Sequence, residues 1–108
     1  MKKFVKLSLV AAFTVLFVNA FSQNPAYPFE TKISGKGNQS IIFIPGLACS
    51  GEVWNETKSA FEKDYTCYTL TMAGFAGAQA QPNSTFDSWK NAIASFIQKN
   101  KIQKPIVI

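Results

Sequence analysis

The chain has 108 residues, 47% of them apolar and 16% charged, a balance that describes one globular domain or a piece of one and argues against disorder. Its net charge is +5 with no arginine; three lysines crowd the first six residues, and from Gln23 onward eight lysines face six acidic residues, so there is no basic stripe and little support for nucleic-acid binding. Histidine is absent, which excludes a self-contained Ser-His-Asp triad and, with only two cysteines, leaves no credible zinc site.

The first 22 residues read as an export signal. Lys2, Lys3 and Lys6 form a cationic head. The run Leu7–Val18 is apolar and too short to span a bilayer comfortably. Ala20 and Ser22 supply small residues at a cleavage site. Residues 1–22 are therefore expected to be a signal peptide, with an uncleaved anchor as the alternative. The mature chain, residues 23–108, is expected to be periplasmic or extracellular, touching a membrane only transiently through that signal. An oxidising compartment allows disulfides. The strand assignment below nevertheless sets Cys49 and Cys67 about a strand length apart, which argues against a bridge.

Residues Gln23–Pro28 contain two prolines and read as an extended lead-in. Phe29–Ser34 alternates in part and is expected to form an edge strand. The cluster Gly35-Lys36-Gly37-Asn38 predicts a hairpin into the next strand. Ser40–Pro45 (SIIFIP) is continuously apolar and β-branched, the pattern of a strand covered on both faces in a parallel sheet. Gly46–Gly51 is a loop of small residues. A helix follows, with Ser50 as its N-cap, Glu52 in its first turn and Trp54, Thr57 and Phe61 as its core stripe.

Tyr65–Met72 is rich in β-formers and predicts the next strand. Ala73–Gln81 is a flexible loop at that strand's end. Ser84 is expected to open a second helix, with Asp87 completing a capping-box-like pair. Phe86, Trp89, Ile93, Phe96 and Ile97 form its apolar stripe. Ile106–Ile108 begins another buried strand. The order β-β-α-β-α-β predicts an α/β fold with a doubly wound, mostly parallel sheet.

Two segments carry a resemblance to a known family. IIFIPGLACSGEVW resembles the strand, oxyanion loop and first helix of the α/β-hydrolase superfamily, with Pro45-Gly46 where the family usually has His-Gly. LTMAGFAG, Leu70–Gly77, resembles the family's D-x-x-G-x-G-x-S segment, with Thr71 in the acidic position and Ala76 replacing a glycine. The resemblance covers about 80 residues in the family's order. It implies that the chain is the N-terminal part of an incomplete α/β-hydrolase domain. The backbone N–H of Leu47 would then serve the oxyanion hole, with Gly46, Ala48 and Phe75 beside the substrate. It also implies that the chain stops at Ile108, inside the strand that would present the nucleophilic serine, with the acid and histidine further on.

The function expected on this basis is hydrolysis of an ester, amide or related bond in a small molecule or peptide by the full-length parent. No cofactor or metal is implied, and the 108 residues alone are expected to be inactive. The competing expectation is a complete, small, secreted binding protein without catalysis. Cys49 and Ser50 are read as a packed loop cysteine and a helix cap rather than nucleophiles, since no histidine can activate either.

Overall fold

The computed structural model describes residues 27–108; the signal-peptide segment and most of the lead-in lie outside them. The elements are strand β1 (Phe29–Gly35), strand β2 (Gln39–Phe43), a 3-10 turn (Gly51–Trp54) running into helix α1 (Asn55–Ser59), strand β3 (Tyr65–Met72), helix α2 (Phe86–Lys99) and strand β4 (Ile106–Val107). They form one four-stranded sheet in the order β1-β3-β2-β4. β2 is parallel to both neighbours, β3 and β4, while β1 runs antiparallel to β3.

The apolar run in β2 is explained by helices on both sides of it. Ile42 points into a core shared with Phe29, Leu70, Met72, Phe96 and Ile102, against which Trp89, Ile93 and Ile97 of α2 pack. Ile41 and Phe43 point to the other face, into a cluster with Cys67 that Trp54 covers. Phe43, Ile41, Ile42 and Leu70 are fully buried, each contributing about 1.5–3 kcal/mol by removal from water. The Phe96 ring sits edge-on to Tyr27, Phe29 and Tyr68 at centroid separations of 5.4, 5.7 and 5.7 Å, the geometry favoured by aromatic quadrupoles.

The expected hairpin is not formed: β3 lies between β1 and β2. β1 exposes Glu30 and Lys32 and suits the sheet's rim, whereas β2 has no polar face and takes an inner position. The Gly35–Asn38 cluster instead crosses the beginning of β3. There the Lys36 N–H donates to the Glu62 carbonyl (3.1 Å), and the Thr66 hydroxyl donates to the Gly37 carbonyl (2.7 Å). A Cβ on Gly37 would fall on the Asp64 carbonyl, so close backbone approach, rather than a hairpin turn, requires the glycine.

Both helices differ in some detail from their sequence patterns. Ser50 caps the first as expected, its Oγ accepting from the Glu52 N–H at 3.2 Å. The stripe after it does not hold, because only Trp54 packs into the core while Thr57 and Phe61 are exposed. One 3-10 turn followed by five α-helical residues is too short to carry a three-turn face. The second helix is capped by Thr85, not Ser84. Thr85 and Ser88 exchange side-chain and backbone hydrogen bonds in a full capping box, and Asp87 pairs with Lys90 instead. Phe86, read as the start of the core stripe, is 78% exposed.

α2 ends in a Schellman motif. The Lys101 N–H donates to the Gln98 carbonyl and the Ile102 N–H to the Ile97 carbonyl, with Lys101 in the left-handed region (φ 53°) and Ile102 buried beneath. Cys49 and Cys67 are both free thiols. Among the described residues no helix is long and apolar enough to cross a membrane.

Candidate functional site at the ends of the parallel strands

β2 runs into a loop whose two ends are pinned. At its start, the Ile44 N–H donates to the Ile108 carbonyl (2.8 Å), and the Ile44 carbonyl accepts from the Trp54 indole (3.1 Å). At its end, the Gly51 N–H donates to the Thr71 hydroxyl (2.9 Å). Thr71 thus supplies a hydrogen-bond acceptor at the position where the resemblance expected a carboxylate. Between these anchors Pro45 is buried, and residues 46–49 make a tight turn closed by the Cys49 N–H to the Gly46 carbonyl (3.1 Å).

The sharp conformation in this turn belongs to Ala48, with φ 61°, and not to Gly46, around which a Cβ would meet open space. Glycine at position 46 therefore is not what bends the chain. A left-handed alanine is strained and is held there by the pinned ends. Among the described residues the Leu47 N–H donates to no acceptor, and the Leu47 side chain is 86% exposed.

The second loop is built on similar terms. Gly74, Ala76 and Gly77 all have positive φ, so Ala76 adopts a backbone region that favours glycine. The Phe75 N–H donates to the Met72 carbonyl (3.0 Å). Its ring meets Trp89 edge-on, with centroids 5.3 Å apart.

The two loops bound an apolar cleft of about 470 Å³ at the C-terminal ends of β2, β3 and β4. Leu47 and Phe75 both line it, on walls completed by Pro45, Phe86 and Trp89. Gly46 and Ala48 do not line it; they shape the turn that carries Leu47. Phe86, Trp89 and Lys90 also border the cleft and were not singled out as site residues, because helical spacing accounts for the two aromatics as core. An unburied aromatic at the first position of α2 is the signal that distinguishes Phe86, and only the structure reveals it.

Lys90 is the one ionisable side chain on the lining, and it is paired with Asp87 at 2.8 Å. Cys67 is buried in β3 on the other face of the sheet. Burial pushes its thiol pKa up, the Glu62 carboxylate adds to the rise, and Lys58 opposes it, so it is a poor nucleophile at neutral pH. No cluster of His, Cys, Asp or Glu able to hold a metal ion occurs among the described residues. Among the described residues, the cleft thus offers an unengaged backbone donor and an apolar wall.

Neither a family model nor a curated protein matches this sequence. Solved structures do. A marine microorganism esterase superposes with a TM-score of 0.66 at 13% identity, over 76% of this chain and 31% of the esterase. The A129V mutant of the meta-cleavage product hydrolase CumD superposes with a TM-score of 0.59 at 26% identity, over 73% of this chain and 31% of that one. The chain therefore spans about a third of the length of the enzymes it resembles. Both neighbours are α/β-hydrolases, and with its β-β-α-β-α-β order and mostly parallel sheet this chain is built on the α/β-hydrolase fold.

Proposed function

We propose that this chain is the N-terminal portion of an exported serine hydrolase acting on ester, amide or related bonds, and that it contributes the oxyanion loop. The observation that carries this reading is the Leu47 N–H. It stands free in a strained turn at the end of a central parallel strand, on the rim of an apolar cleft. A tetrahedral intermediate needs N–H donors already aimed at its oxyanion in a site with little water. A donor committed to no internal acceptor, held by anchors on both sides, suits that task.

The nucleophilic serine, its base and the acid would lie beyond Ile108, in the family's order. A second donor would come from the residue after the serine. Gly46 and Ala48 set the turn, and Phe75 borders the bound group. The N-terminal 22 residues would direct the parent to the periplasm or outside the cell. The substrate would be a small molecule or peptide, with no cofactor and no nucleic acid involved.

The distribution of exposed apolar side chains favours this reading over a complete binding module. Leu47, Phe86 and Val107 are exposed around the cleft, and Ile106 and Ile108 on the adjoining strand. Such a concentration at one sheet edge is an aggregation liability unless further strands and helices cover it.

The test is the coding sequence after Ile108, followed by kinetics of the full-length product. A G-x-S-x-G motif within about ten codons, and p-nitrophenyl ester turnover abolished by changing its serine to alanine, are expected. A stop codon with a cooperatively folding 108-residue product would establish the binding-module alternative. The 108-residue chain alone is expected to show no turnover.

A further inference from the structure

The bond from the Trp54 indole to the Ile44 carbonyl (3.1 Å) joins the two ends of the loop after β2. Ile44 follows the last residue of β2, and Trp54 is the last residue of the 3-10 turn. Pro45, next in the chain, has no N–H with which to continue the ladder. Within the loop the bonds are local: the Cys49 N–H reaches back to the Gly46 carbonyl, and the Ser50 hydroxyl accepts from the Glu52 N–H. The Gly51–Thr71 bond ties the loop to β3 instead. The indole alone among these ties the start of the loop directly to its end.

Trp54 is itself held in place. Its ring lies against Phe43, with centroids 5.4 Å apart at an interplanar angle of 45°, and it packs on the buried cluster of Ile41, Phe43 and Cys67. Packing fixes the rotamer of the ring and so the direction of its N–H. The side chain therefore carries the position of the sheet to the Ile44 carbonyl, three residues before Leu47. It does so from a distance, because Trp54 packs on the face opposite α2 and does not line the apolar cleft.

We propose that Trp54 is a positioning residue for the Leu47 N–H, its indole bond to Ile44 setting the loop before substrate arrives, so that loss of this bond lowers turnover and not substrate affinity. The proposal rests on the hydrolase reading above. A donor that serves the tetrahedral intermediate stabilises the transition state and not the bound substrate. Displacing that donor therefore lowers kcat and kcat/KM together and leaves KM as it was.

The test is steady-state hydrolysis of a p-nitrophenyl ester by the full-length product and its Trp54→Phe variant, with active sites counted by complete reaction with a p-nitrophenyl phosphonate. Phenylalanine keeps an aromatic ring against Phe43 and removes the donor. Turnover per active site should fall about ten- to hundredfold, the cost of a displaced donor, with KM unchanged. Affinity for an alkyl boronate, which forms a tetrahedral anion on the serine, should fall by the same factor, and affinity for the carboxylate product should not. If the variant does not fold, benzothienylalanine at position 54 replaces the indole NH by sulfur at nearly constant shape, and the same outcomes apply. A purely structural role would lower the melting temperature and the number of active sites while leaving kcat per site at the parent's value, and that result overturns the proposal. A raised KM at unchanged kcat overturns it as well. Absence of turnover in the unmodified full-length product sinks the hydrolase reading and this proposal with it, whereas turnover that is equal per site in parent and variant sinks the positioning role alone.

Discussion

Replacing Gly51 with alanine tests how the loop after β2 is held. Gly51 is buried where the 3-10 turn meets β3, and an added Cβ would sit 2.5 Å from Thr69 Cγ2 and 2.7 Å from the Leu70 carbonyl oxygen. The threonine methyl belongs to a buried side chain and the carbonyl to the centre of the sheet, so neither yields easily. The turn must move outward, at a cost of about 1–3 kcal/mol for overpacking. That movement stretches the Gly51–Thr71 hydrogen bond (2.9 Å), costing about 1 kcal/mol more. Because Gly51 is not in the left-handed region, the alanine restricts the unfolded chain and returns about 0.4–1 kcal/mol. The net destabilisation is then roughly 1–3 kcal/mol. Urea unfolding followed by the fluorescence of Trp54, whose indole is bonded to the Ile44 carbonyl across the same loop, measures it. With a slope near 1 kcal/mol per molar for a chain this small, the midpoint should fall by about 1–3 M. An unchanged or higher midpoint would refute the close approach, and with it the claim that this contact fixes the loop's trailing end.

Thr71→Val removes the acceptor of the buried Gly51 N–H and should cost about 1–3 kcal/mol, whereas Thr71→Ser should cost much less; equal losses in the two variants would rule out the hydrogen bond as the cause. Lys101→Gly and Ala76→Gly place glycine at left-handed positions, with φ 53° and 45°. The relief of about 1–2 kcal/mol outweighs the entropic penalty of about 0.5–1 kcal/mol, so both should raise the melting temperature. Thiol titration of the folded chain with an aromatic disulfide should modify half-buried Cys49 first, and fully buried Cys67 only on unfolding. Burial raises the Cys67 thiol above its usual value of 9.0. Just above pH 9 the unfolded chain therefore holds fewer protons than the folded one, so stability falls as pH rises there. Cys67→Ala lowers stability at neutral pH but removes this contribution to the alkaline fall, which urea midpoints at neutral and alkaline pH would reveal.

What the sequence disclosed and what it concealed follow from the range of the interactions involved. β2 and β3 were legible because a run such as Ile41-Ile42-Phe43 has only one stable setting, an inner strand between two covered faces. The pairing partner of β1 was not, because Gly35 and Gly37 carry the local signature of a hairpin while serving a crossing whose other half, Glu62–Thr66, lies some 25 residues on. Helix starts fell between these cases. Ser84 and Thr85 are both competent caps, and only the reciprocal bond with Ser88 selects the second. The site shows the same division. Leu47 and Phe75 lie in the loops that follow adjacent parallel strands, a placement that strand order and loop position make legible. The strain at Ala48 was invisible, because alanine gives no sign of a left-handed φ where glycine would have. Position 48 is therefore where structure adds most to the reading of the loop. An alanine kept in a costly conformation by anchors at Ile44 and Gly51 leaves the Leu47 N–H without an internal acceptor among the described residues, and the proposed oxyanion role rests on that donor.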